Sequence, residues 1–129
     1  MIEVLFKLVG YYLATPKDDS LSPFYFTITR DGYLVSCVEM DVHGQVRITP
    51  MRLRCEVIEA GVLATHSLDK NNKEVVHQRM NFTISEDGCV TFVKGENQWS
   101  CRRIVESDMP ESVFEMLQFG VARSRENPA

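Results

Sequence analysis

Two histidines, His66 and His77, flank a candidate turn at Asn71-Asn72 and are the side chains best spaced for metal or acid–base chemistry. Asn tolerates the positive φ of tight turns, so a two-residue loop there sets the imidazoles directly opposite each other. Cross-strand neighbours lie about 4.5–5.5 Å apart at Cβ, close enough to share a metal ion. The alternation of the following run, however, puts Val76, Met80, Phe82 and Ile84 on one face and His77 on the other, which is expected to meet solvent. No Cys, Asp or Glu in that register completes a tetrahedral ligand set, so a surface pair is the plainer reading and neither a metal nor any other cofactor is expected. His43 precedes Gly44 and reads as a turn residue.

Asp31 and Asp87 form a second symmetric pair. Each precedes a glycine between two alternating runs, where Asp is favoured for turn conformation rather than for proton transfer. Arg52, Arg54 and Arg102 are the candidates for holding an acidic partner, because guanidinium groups grip carboxylates and phosphates and are enriched at interfaces. Phe26, Phe82 and Trp99 are the candidates for lining an apolar cavity. Phe24, Tyr25, Tyr33 and Phe92 form a wider aromatic set around them. Gly-x-Ser-x-Gly, a phosphate-binding glycine loop, His-Glu-x-x-His and a dinucleotide fingerprint are all missing from the sequence, so no catalytic residue is named.

These candidates need a scaffold, and the chain nearly repeats one. Phe26-Thr27-Ile28-Thr29-Arg30-Asp31-Gly32-Tyr33-Leu34 returns as Phe82-Thr83-Ile84-Ser85-Glu86-Asp87-Gly88-Cys89-Val90. Each copy is a β-type run, an Asp-Gly turn and a second β-type run, the pattern of a hairpin. A two-residue loop at Asp31-Gly32 pairs Ile28 with Val35 and Phe26 with Cys37, giving Phe24, Phe26, Ile28, Val35 and Cys37 one buried face. The same loop at Asp87-Gly88 strands Val90 and Phe92 on the far face unless a bulge shifts the register. His43-Gly44, Glu59-Ala60-Gly61, Asn71-Asn72 and Gly95-Glu96-Asn97 read as further turns, and residues 16–23 as a loop. Pro50 is expected to break the run before Met51–Val57. Residues 2–13 alternate as a strand, with a short amphipathic helix as the alternative. Val113, Met116, Leu117 and Val121 recur at helical spacing, and Asp108, Pro110 and Glu111 suit the start of a helix over 110–123.

The predicted fold is mainly β (α+β) in a single domain, 1–129. About eight or nine antiparallel strands form a meander curled into a barrel or half-barrel, with one C-terminal helix closing a mouth or packing on the open side. Gly10-Tyr11-Tyr12-Leu13 and the two Asp-Gly hairpins resemble the lipocalin-like barrels, whose Gly-x-Trp near the start would place Trp where Tyr12 stands. That resemblance implies a fold and no particular activity.

The chain has 129 residues, net charge −4 and four cysteines without a Cys-x-x-Cys pair. Its middle, 41–103, is mildly basic and its ends are acidic. Such a balance argues against a nucleic-acid partner. A transmembrane helix needs about 18 consecutive apolar residues, and the sequence has no such run, so no membrane association is expected. Glu3 and Lys7 interrupt the apolar stretch over residues 1–14, and no basic segment precedes it as in a secretory signal. A cytoplasmic protein with reduced, mostly buried thiols is therefore expected. The leading functional expectation is a non-catalytic protein-binding domain: an inhibitor, an immunity-type neutraliser or an adaptor. The alternatives are a small apolar-ligand carrier using the barrel interior and an enzyme or metal site using His66 and His77. An exposed edge strand is also a route to a homodimer.

Overall fold

Alternating runs joined by short glycine turns leave each strand beside the next, and the last strand returns to the first. The structure is a computed structural model and describes residues 2–18, 23–42, 45–68 and 74–126. A short helix, α1 (Ile2–Leu8), leads into β1 (Gly10–Pro16), β2 (Phe24–Ile28), β3 (Tyr33–Val42) and β4 (Gln45–Glu59). β5 (Val62–Leu68), β6 (Glu74–Ile84), β7 (Val90–Lys94) and β8 (Asn97–Ile104) complete a closed antiparallel barrel in sequence order. The seam is β1 on β8, in register from Tyr11↔Ile104 to Pro16↔Trp99. A single 3-10 turn, Glu106–Asp108, precedes α2 (Glu111–Glu126).

The two repeated hairpins share one turn, and it differs from the expected two-residue loop. In the first, the Thr29 N–H donates to Tyr33 O at 2.9 Å, leaving a three-residue loop, Arg30-Asp31-Gly32. In the second, Ser85 and Cys89 make the same bond at 2.8 Å around Glu86-Asp87-Gly88. Gly32 and Gly88 take φ of 87° and 86°, the left-handed position that ends a three-residue loop and that glycine enters without strain. The longer loop moves the register by one. Ile28 pairs with Leu34 and Phe26 with Ser36, while Ile84 pairs with Val90 and Phe82 with Phe92. One slipped position flips a strand's faces, so Phe24, Phe26 and Ile28 face the barrel interior while Val35 and Cys37 lie on its outer wall. Tyr25 and Tyr33 are outside with them.

Three further expectations change. Residues 2–8 are helical, because both periods fit their apolar pattern and only the helix delivers Leu5 and Leu8 together into the barrel mouth. Glu3 and Lys7 then sit one turn apart, each at the helix end its charge favours. Pro50 does not break the run but lies within β4, opposite Cys37. Proline's φ of about −65° lies within the extended region, so the strand runs through it. Finally, α2 covers no mouth: Val113, Leu117 and Val121 pack on Val35, Cys37 and Ile104 on the outer wall. The His43-Gly44 and Asn71-Asn72 turns lie outside the described residues, as do 19–22 and the chain end, 127–129.

Gly120 sets how closely α2 approaches. A Cβ there would stand 2.5 Å from Val35 Cγ1, inside any real contact distance. Gly120→Ala is therefore expected to lower stability by about 1–2 kcal/mol, overpacking outweighing the roughly 1 kcal/mol that Ala gains in a helix. Adding Val35→Ala should recover part of the loss in urea midpoints, whereas a stabilised single variant would show that the helix stands further off.

Candidate functional site

The barrel interior divides at a wall of rings. Tyr12 stacks on Phe26, centroids 4.8 Å apart and planes 11° from parallel. Phe26 meets Phe92 edge-on at 6.2 Å, and Phe92 meets Phe82 at 6.3 Å. On the α1 side of these rings the interior is filled by Leu5, Leu8, Ile28, Val57, Leu63 and Val90. Arg103 fixes this half in place. Its Cζ lies 5.2 Å from the Tyr12 ring centre. Its Nε donates to Gly88 O and its Nη1 to Val9 O, both at 2.9 Å, and its Nη2 donates to Lys7 O. The guanidinium thus ties the C-terminal end of α1 to the β6–β7 turn. The Tyr12 hydroxyl donates to Leu8 O at 2.7 Å, a second tie between strand and helix.

The opposite half holds a cavity of about 300 Å³. Phe24, Phe26, Phe92 and Trp99 form its aromatic side, and Leu34, Leu53, Met80 and Cys101 fill in around them. Three polar side chains join the lining: Ser36, Thr65 and Gln78. Ser36 and Thr65 are buried, whereas Gln78 is exposed. Among the described residues no ionised side chain lines this space. Burial pushes the Cys101 thiol up to about 12, with Cys89 adding to the shift, so Cys101 stays a neutral thiol, its S–H directed at Trp99 O, 3.9 Å away.

Burial likewise raises Cys55 to about 12 and Tyr12 to about 12, the latter against the opposing pull of Arg103. All three groups hold their protons to higher pH folded than unfolded. The native state therefore binds more protons than the unfolded chain between about pH 9 and 12, and stability must fall as pH rises through that window. Urea midpoints are expected to hold steady below pH 8.5 and to decline progressively toward pH 11. A flat profile would mean that these groups are solvated.

Phe26 and Trp99 reach the cavity, while Phe82 stands on the inner face in the wall of rings behind it. The arginines fall in two places. Arg52 and Arg54 pair with Val35 and Tyr33 on the outer wall of β4, and Arg102 pairs with Leu13 on the outer wall of β8. Four inter-strand steps of about 4.8 Å separate the two strands, roughly 19 Å around the wall, and α2 packs on the strands between them. They do not form one patch. His66 and His77 are not paired, because a bulge between Thr65 and His66 sets His66 opposite Val76. His66 Nε2 instead lies 3.6 Å from Glu56 Oε1. No cluster of three metal-binding side chains occurs among the described residues. Asp87 serves its turn: the Ser85 hydroxyl and the Cys89 N–H donate to its carboxylate and hold its pKa below the usual value.

The chain matches no known family, no curated protein and no solved structure. The site is accordingly defined by its geometry alone. Ser36, Thr65 and Gln78 were not among the candidates drawn from the sequence. Their signal is period two: each shares a face with apolar residues once the register is right.

Proposed function

We propose that this barrel binds one small, largely apolar molecule in the half of its interior lined by Phe26 and Trp99. The observation that carries the reading is the cavity itself. About 300 Å³ is the volume of roughly ten liquid waters and falls at the lower end of the range of small-molecule sites, which are typically apolar with a few placed polar groups. The fold-level likeness to lipocalin-like barrels agrees with an interior ligand, and the absence of catalytic motifs from the sequence fits a carrier rather than an enzyme. A cytoplasmic setting, supported by four cysteines that are all unbridged, belongs to the same proposal. No helix among the described residues is long and apolar enough to cross a membrane.

Native mass spectrometry of the protein isolated gently from its own source tests this. An added mass of a few hundred daltons at one per chain is the expected result, and its loss in a Ser36→Phe variant would place it in the cavity. An apo chain that also fails to take up apolar compounds would overturn the reading.

A second reading, a protein partner, is favoured by one observation. Phe6, Ile58, Ile84 and Val105 are exposed large apolar side chains at the α1 end of the barrel. Exposed Arg54 and Arg102 offer polar contacts on the walls. A protein-sized adduct in the same spectrum would move the assignment to that end, and a clean dimer mass would make the partner a second copy.

A further inference from the structure

The chemistry of the cavity wall narrows the ligand class, and this step rests on the carrier reading above. Strand order in a closed eight-strand barrel sets β5 across from β1. Thr65 on β5 and Gln78 on β6 are direct cross-strand partners, so their polar groups lie side by side, about 5 Å apart at Cβ. The aromatic side comes from β2, β7 and β8, which flank or lie close to β1. The cavity therefore has two unlike sides: rings with Ser36 beside Phe26 on one, and the adjacent Thr65 hydroxyl and Gln78 carboxamide on the other.

Two features give that contrast chemical content. A threonine buried to 2% exposure stands where valine would fill the same volume without a hydroxyl to satisfy, and buried hydroxyls cost free energy unless hydrogen-bonded. Charge is missing from the described lining, and Arg103, behind Tyr12 on the inner face, already donates to three backbone carbonyls. An anion seated here would lose its hydration with no counter-charge among the described lining residues. We infer that the cavity takes an uncharged molecule with a compact apolar body and one hydrogen-bonding group, the body lying against Phe26, Phe92 and Trp99 and the polar group meeting Thr65 and Gln78.

Trp99 is the sole tryptophan, so its emission reports on the cavity directly. Three probes share one apolar body: 1-adamantanemethanol, 1-adamantanecarboxylate and 1-adamantyltrimethylammonium, titrated at pH 7.4 on the intact chain. The alcohol is expected to bind at least tenfold tighter than either ion. Gln78→Leu and Thr65→Val should each weaken the alcohol by about threefold to tenfold, the weight of one net hydrogen bond, and leave the affinity for unsubstituted adamantane unchanged. Gln78 is exposed, so its variant folds whether or not Thr65→Val does. Tighter binding of the carboxylate or the ammonium would overturn the uncharged-ligand inference while the carrier reading stands. An alcohol preference that survives both substitutions would overturn the assignment of the polar wall. Failure of all three probes and adamantane to bind would remove the carrier reading and this inference with it.

Discussion

Replacing Arg103 with Ala is expected to cost about 3–5 kcal/mol of stability, because three charge-assisted hydrogen bonds and a cation–ring contact disappear together. The carbonyls of Lys7 and Val9 belong to the end of α1, where no further helical N–H follows to satisfy them, and Gly88 O belongs to a turn between two strands. A single fork-shaped group meets all three. Arg103→Lys therefore does not count as conservative: an ammonium is a point donor and cannot span the set, so a loss of more than about 2 kcal/mol is expected there too. Urea denaturation of both variants checks this. Losses under about 1 kcal/mol would mean that water satisfies the carbonyls. The variant should also loosen α1, read as faster amide exchange at Leu5 and Leu8 than in β4.

The second large effect is at Leu117. Its side chain is fully buried between α2 and the barrel wall, one turn from Val113 and one from Val121. Leu117→Ala is expected to cost about 2–5 kcal/mol, the range for emptying such a site. The direction of failure is specific. Cys37 lies under α2, its Sγ 3.9 Å from Val113 O, whereas Cys55 and Cys101 lie inside the barrel. If α2 lifts while the barrel stays closed, alkylation in native buffer marks Cys37 well before Cys55 or Cys101. Equal rates at all three would mean that helix and barrel unfold as one unit, and unchanged labelling would mean that α2 contributes little shielding.

The class of fold was legible because its signal is local. Alternating runs and glycine turns name hairpins, and consecutive hairpins make a meander; its closure was not legible, because the β1–β8 seam joins strands far apart in sequence. Register was not legible, because Asp-Gly serves both two-residue and three-residue loops, and the difference resides in whether Thr29 and Ser85 join the ladder. That one position decided which side of the sheet Val35 and Cys37 occupy. The histidine pairing failed for a related reason, a bulge on which no residue type insists. Residues 2–8 fit both periods, and only the open barrel mouth chose the helix. Arg103 was not singled out beside Arg102, yet adjacent strand residues point to opposite faces, so one of the two had to enter the interior. The cavity's aromatic side was visible as composition. Its polar side was not, because Ser36, Thr65 and Gln78 become lining only when a register joins them to the rings.

The seam between β1 and β8 also sets when this protein can fold as it is made. Tyr11 leaves the ribosome well before its partner Ile104, so β1 waits with one bare edge while β2 to β7 are made. Arg103, which anchors the opening helix, arrives on that same final strand. Neither ring closure nor the anchor can form cotranslationally until β8 has emerged. Long-range pairing of this kind folds slowly and leaves the unpaired edge open to aggregation until the seam is made.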